Sequence, residues 1–314
     1  MSGLDELTPA QQRTLSLLRR DQPVVFSEEF VDDLCADVGA ALAEFGERLA
    51  ESGETVWVSK HLVSSVLGCE VQHLLDAPFA WTPAIAGGQV AHRAIELLLN
   101  WRGEPVPGDL VDEAIERLAE SEQGLGDWLA RLGEADRADL RSFAVEKVVN
   151  FQECFPPLRP AARPRTEAKV RWPLDGPVVL SGKVDLVLGA SDTRRESRKV
   201  IVDLKTGWTS PRHREDLRFY ALVETLRLRL PPRKLASFYL DAGDAVVEDV
   251  TEPLLRTAAR RTLDAVHREI ELRVEGAAPV KRPGAPCRWC AVAVECQEGT
   301  VYLAGRASDG GSDG

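Results

Sequence analysis

Val200-Ile201-Val202-Asp203-Leu204-Lys205-Thr206-Gly207 reads as a buried strand that ends in a turn. Three β-branched residues open it and a glycine closes it, the signature of a short strand inside a sheet. Asp203 and Lys205 are two apart, so their side chains leave the same face while Leu204 points to the other. Eighteen residues earlier, Gly182-Lys183-Val184-Asp185-Leu186 places a second acid in another β-rich run. A carboxylate in an apolar strand is costly unless a cation meets it. Two such acids on adjacent strands invite a divalent ion, and hard carboxylate oxygens suit Mg²⁺ or Mn²⁺. Lysine makes up only 8 of the 39 basic residues, so Lys205 beside Asp203 stands out, and arginine would not replace it in proton handling. Spacing alone also allows a plain Asp–Lys pair bridging two strands.

The flanking sequence supplies the layers. Val31, Leu34, Val38, Leu42, Phe45 and Leu49 recur at helical spacing behind Ser27, predicting an amphipathic helix over 28–51. The same periodicity predicts helices at 66–75, 90–101, 110–119 and 138–151. Four prolines between 155 and 164 end this pattern. Strands are then predicted at 166–172, 178–188 and 199–206, a helix at 211–230, strands at 235–240 and 244–250, and a long helix at 252–274. Helix, three strands, helix, strand indicates an α/β core, with a crossover returning the last strand beside the others. The divisions expected are a helical N-terminal extension (1–55), a helical region (56–155), an α/β core (156–275), a cysteine segment (276–303) and a disordered Gly/Ser/Asp tail (304–314).

Of the 314 residues, 44% are hydrophobic and 28% charged, which excludes a wholly disordered chain. No apolar run approaches the roughly 20 residues of a membrane span. The N-terminus lacks a basic start followed by an apolar block, so a cytoplasmic address is expected. The net charge of −11 conceals a basic middle: residues 158–235 hold 18 Lys and Arg against 9 Asp and Glu. That distribution fits a local phosphate-facing surface inside an acidic envelope, or a solvated charged face.

Gly182-Lys-Val-Asp185, followed by Val202-Asp-Leu-Lys-Thr-Gly207 and a helix, resembles the PD-(D/E)XK nuclease superfamily, particularly its RecB-type branch. The resemblance implies a mixed sheet flanked by helices and a metal-dependent deoxyribonuclease. It assigns Asp185, Asp203 and Lys205 to catalysis, with Asp185, Asp203 and the Leu204 carbonyl holding Mg²⁺ or Mn²⁺. Gly88-Gln-Val-Ala-His92 looks like the branch's helix that supplies a histidine metal ligand. The branch carries Gln and, four residues later, Tyr on the helix after the lysine strand. Here Tyr220 is kept but Asp216 replaces the amide, and an acid there repels phosphate. Arg212, Arg214 and Arg218 on the same helix are candidate nucleic-acid contacts.

Cys287, Cys290 and Cys296 follow C-x2-C-x5-C spacing, close enough to converge on one centre, and six cysteines in all are too few for a disulfide scaffold. This layout resembles the iron–sulfur exonucleases of CRISPR adaptation and AddB-type nuclease domains. The resemblance implies a [4Fe–4S] cluster with Cys69 as its fourth ligand, a structural clasp joining the N-terminal helices to the C-terminus. A four-cysteine zinc site and unligated thiols are the alternatives; Cys35 and Cys154 read as buried thiols. The function implied is hydrolysis of DNA at free ends or in single strands, in repair, recombination or CRISPR-like processing, with a helicase or CRISPR-type protein partner. The competing class is a nuclease-like module that binds nucleic acid or a partner without turnover.

Overall fold

In the computed structural model, residues 7–20, 22–75, 79–121, 123–190 and 196–309 are described. Thr8 caps α1 (Pro9–Leu18) through a capping box, and Ser27 caps α2 (Glu28–Leu49) by accepting from the Phe30 amide. The chain continues as β1 (Val56–Val58), α3 (Lys60–Val66), α4 (Glu70–Leu74), α5 (Pro83–Leu97), α6 (Pro107–Ser121), α7 (Gln123–Ala130) and α8 (Glu134–Cys154). Then follow β2 (Arg165–Trp172), β3 (Val178–Leu188), β4 (Val200–Lys205), α9 (Pro211–Leu228), β5 (Lys234–Tyr239), β6 (Asp244–Asp249), α10 (Glu252–Arg273) and α11 (Gln297–Asp309). No helix among the described residues is long and apolar enough to cross a membrane.

The strands form one mixed sheet in the order β1-β3-β4-β5-β6, with β2 also paired to β3. β3 and β4 are antiparallel, whereas β4 and β5 are parallel and joined by α9. Residues of β4 alternate between two apolar layers, as a strand's period of two requires. Ile201 packs with residues of α2, α9 and α10, while Val200, Val202 and Leu204 pack with residues of α5, α6 and α8. The N-terminal helix α2 is therefore part of the same core as the sheet, and in the opposite layer Phe151 and Phe155 stack while Phe238 meets both edge-on.

Four elements depart from the expected pattern. The helix predicted over 66–75 is broken at Gly68-Cys69: Cys69 is extended (φ −87°, ψ 111°) and precedes α4 without a side-chain cap, where Gly68 and Glu70 bond to Val280 and Arg282. β1 is only three residues long, too short for a periodicity to register. α7 lies between the helices predicted at 110–119 and 138–151, where no element was predicted. α11 runs to Asp309, so the disorder predicted from 304 does not hold through that residue; 310–314 lie outside the described residues.

Glu70 ties the C-terminal segment to the core. It has no exposed surface, and it takes Arg268 at 2.6 Å, Arg282 at 2.8 Å and the Val280 amide at 2.7 Å. The Arg268 hydrogen bond, helped by Val280 and Arg282 against the cost of burial, holds its carboxyl down at about 2. Glu70→Gln should cost about 2 kcal/mol in urea unfolding, less than a sealed ion pair because both guanidinium groups reach solvent. A depressed carboxyl contributes stability above its unfolded value and loses it as pH falls, here from about 4.5 to about 2. Melting curves should therefore fall more steeply with acid for the wild type than for Glu70→Gln; parallel curves would contradict this role.

Candidate active site and metal centre

The ladder between β3 and β4 ends at Leu186↔Val202. At 185 and 203 the strands part, and the Leu204 amide donates to Asp185 Oδ2 at 2.7 Å in place of a strand carbonyl. The first half of β3 pairs instead with β1, at Val178–Leu180. A gap thus opens in the sheet between Asp185 and Asp203, floored by strands and walled by α3, α5 and α9.

Asp203 is 1% exposed and lies between two ammonium groups. Lys60 donates to its Oδ1 at 3.0 Å, and Lys205 lies 2.6 Å from its Oδ2. Oδ2 nevertheless has no aligned hydrogen-bond donor, so one buried carboxylate oxygen is held by charge alone. Asp216 completes the group, 3.6 Å from Lys205 and 4.0 Å from Lys60. Burial raises the Asp216 carboxyl, while both lysines pull against that shift. Burial opposes charge on Lys60, yet Asp203, Tyr220 and Asp216 together lift its ammonium well above the ordinary lysine range. Tyr220, pushed up to about 12 by burial against the pull of Lys60, stays a neutral phenol beneath that ammonium, which sits 5.0 Å from the ring.

Across the gap, His92 Nδ1 stands 3.6 Å from Asp185 Oδ1. Burial opposes protonation of His92, but Asp185 outweighs it and raises the imidazole; Asp185 is lowered in return, against its own burial. Ligand atoms of His92, Glu167 and Asp185 lie within 4.8 Å of one another. Two glycines permit this. A Cβ on Gly182 would stand 2.5 Å from the Tyr220 ring, and one on Gly88 3.0 Å from Thr206 Oγ1, so α9 and α5 close on the strands only because both positions lack a side chain. Glu167 itself has φ +50°, an uncommon conformation for a residue with a side chain.

The sequence-derived residues Asp185, Asp203, Leu204, Lys205, His92 and Tyr220 thus gather at one gap, together with two that sequence reading missed. Glu167 was discoverable by register: Thr166 opposes Leu186 and Ala168 opposes Val184, which sets Glu167 across from Asp185. Lys60 carries no signal beyond the rarity of lysine. Arg214 and Arg218 are bound to Glu248 of β6, at 2.8 and 2.5 Å, and Arg218 also to Glu215. Arg212 instead lines a second cavity.

That cavity, of about 230 Å³, is lined by Cys69, Cys287, Cys290 and Cys296, all free thiols. The Gly284 amide points at Cys287 Sγ at 3.3 Å and the Gly299 amide at Cys296 Sγ at 3.4 Å. Cys35 is buried in α2 and Cys154 ends α8, both outside this cavity.

The family model of the PD-(D/E)XK nuclease superfamily matches residues 60–297, which holds both the gap and the cysteines. The chain belongs to the PD-(D/E)XK nuclease superfamily. A crystal structure from Eubacterium rectale described as a "Putative exonuclease" is similar over 77% of this chain and 88% of its own, with 12% identity and a TM-score of 0.47. No curated protein matches.

The donor set of this PD-(D/E)XK gap fits a small divalent ion: one imidazole, two carboxylates within reach of one another, and an unsatisfied oxygen on Asp203. Metal must displace the proton that Asp185 stabilises on His92. Mn²⁺ affinity, followed by calorimetry, should therefore rise with pH through the region just above the ordinary imidazole value. His92→Ala should weaken binding about tenfold and flatten that dependence; an unchanged pH profile would remove His92 from the ligand set.

Proposed function

We propose that this protein is a divalent-metal-dependent deoxyribonuclease that cleaves DNA at free ends or in single strands, with a structural [4Fe–4S] cluster. The observation that carries the catalytic half is the gap between β3 and β4, where His92, Glu167 and Asp185 face Asp203 and Lys205. His92, Glu167, Asp185 and Asp203, with the Leu204 carbonyl, would hold Mg²⁺ or Mn²⁺. Bound there, the ion supplies Lewis-acid charge to the scissile phosphate and acidity to a water. Lys205, between Asp203 and Asp216, is placed to orient the attacking water by its N–H donors. Lys60 adds a fixed positive charge on the same wall, offsetting the acid at 216 where an amide was expected. Tyr220 presents a neutral hydroxyl, while Arg214 and Arg218 of α9 are already held by Glu248.

For the cluster, the support is one cavity collecting four thiols that are up to 227 residues apart in sequence, with backbone amides aimed at two sulfurs. Protein purified without oxygen should contain iron and inorganic sulfide in equal amounts. Cys69→Ser should lose both while Cys35→Ser keeps them; stoichiometric zinc would overturn the assignment.

One observation favours a non-catalytic reading: both lysines already engage Asp203, as they would in a site that no longer recruits metal. End-labelled single-stranded and duplex DNA, incubated with Mn²⁺ or Mg²⁺, separates the two. Cleavage by the wild type and its loss by at least a hundredfold in Asp203→Ala support the nuclease. DNA binding without cleavage under either metal supports the binding module.

A further inference from the structure

β2 and β3 present two unlike faces. On one, Ala168, Val170, Leu180 and Val184 pack into the apolar core under α9 and α2. The other carries charge. Glu167, Lys169 and Arg171 leave it from β2, and the register sets Lys169 across from Lys183 and Arg171 across from Ser181. Lys183 confirms the side, since its ammonium meets the Glu167 carboxylate, which lies with Asp185 and His92 in the gap. This face therefore runs outward from the gap, about 13 Å from Asp185 to Ser181 at the rise of a strand.

At the outer end stands Trp57 of β1, opposite Val179 and 51% exposed. Arg171 reaches across β3 to it, the guanidinium carbon 4.7 Å from the ring centre, and Nε of that guanidinium is buried without a hydrogen-bond partner. Lys169 is exposed, and neither it nor Arg171 has an acidic partner among the described residues. Beyond Trp57 an open groove of about 600 Å³ continues past His61 and Arg212, and the carboxylate in its lining, Glu269, is taken up by His73 and Arg273. Charged residues on an edge strand guard against sheet-to-sheet pairing, which would account for Lys169. It does not account for a half-exposed indole with an arginine laid over it.

We propose, resting on the nuclease reading, that this face is the track on which single-stranded DNA reaches the gap: Lys169 and Arg171 meet its phosphates and Trp57 stacks on a base. Cations without acidic partners complement phosphate charge, and an exposed aromatic ring offers a surface that every base can use. The indole selects the form of the DNA. In a duplex each base is already stacked and paired, and freeing one costs energy. An unpaired strand lays a base on Trp57 without that cost while its backbone follows Lys169 and Arg171 towards Asp185.

Full-length protein carrying Asp203→Ala, to suppress cleavage, is titrated by fluorescence anisotropy with a short labelled single strand and with its duplex, across a salt series. The single strand should bind more tightly. In that background Trp57→Ala should weaken single-strand binding about tenfold and leave the duplex unchanged, while Trp57→Phe, which keeps a stacking ring, should retain most of the affinity. Lys169→Ala, at an exposed position, should lower the slope of log affinity against log salt by about 0.7. Single-strand binding unchanged in both alanine variants, equal losses on single strand and duplex in Trp57→Ala, or polyglutamate bound as tightly as the single strand overturns the track. The two readings fail separately. A wild-type protein that leaves the strand uncut with Mn²⁺ while binding still depends on Trp57 removes the cleavage and keeps the single-strand surface; Trp57→Ala and Lys169→Ala enzymes that cut with the wild-type KM remove the track and keep the nuclease.

Discussion

Asp203 is a carboxylate sealed inside a protein, and two ammonium groups keep it there. Removing a carboxylate from water is expensive unless charge and hydrogen bonds replace what is lost. Lys205 arrives from the same strand, two residues on; Lys60 arrives from a helix 143 residues earlier. The capped start of α3, the turn after β1 and the short β1–β3 pairing all serve to deliver that second cation. In this sense the N-terminal third of the chain exists for the site as much as for the core.

The same logic explains why the sheet opens where it does. Two facing acids at 185 and 203 cannot share a closed ladder without repulsion, so the strands part and a backbone amide takes one carboxylate. Gly182 and Gly88 then let α9 and α5 approach the opening from either side. The turn beyond Lys205 is held by a further buried charge: Lys147 of α8, 3% exposed, grips Asp241, whose second oxygen takes the Gly207 amide at 2.5 Å. A helix of the 56–155 region thus braces the loop that follows the lysine strand.

Much of this was legible in the sequence, for physical reasons. The β-branched runs and their acids announced β3 and β4, since a charged residue in such a run has few tolerable explanations. The cysteine spacing predicted that Cys287, Cys290 and Cys296 converge, and they line one cavity together with Cys69. The short β1, the break at Gly68-Cys69 and the helix after Cys296 did not register, because their conformations follow from partners distant in sequence rather than from local periodicity. Lys60 was invisible for the same reason. The arginines of α9 show the opposite error: they read as phosphate contacts by type, yet Glu248 on a neighbouring strand already holds two of them.

The central claim is that the split between β3 and β4 is a metal site shared by His92, Glu167, Asp185 and Asp203. Anomalous diffraction from crystals soaked in Mn²⁺ tests it without reference to turnover. The account predicts a manganese peak in the gap, bonded to Asp185 and Asp203, with Lys205 withdrawn from Asp203 Oδ2. A gap without manganese, with both lysines still on Asp203, would contradict it.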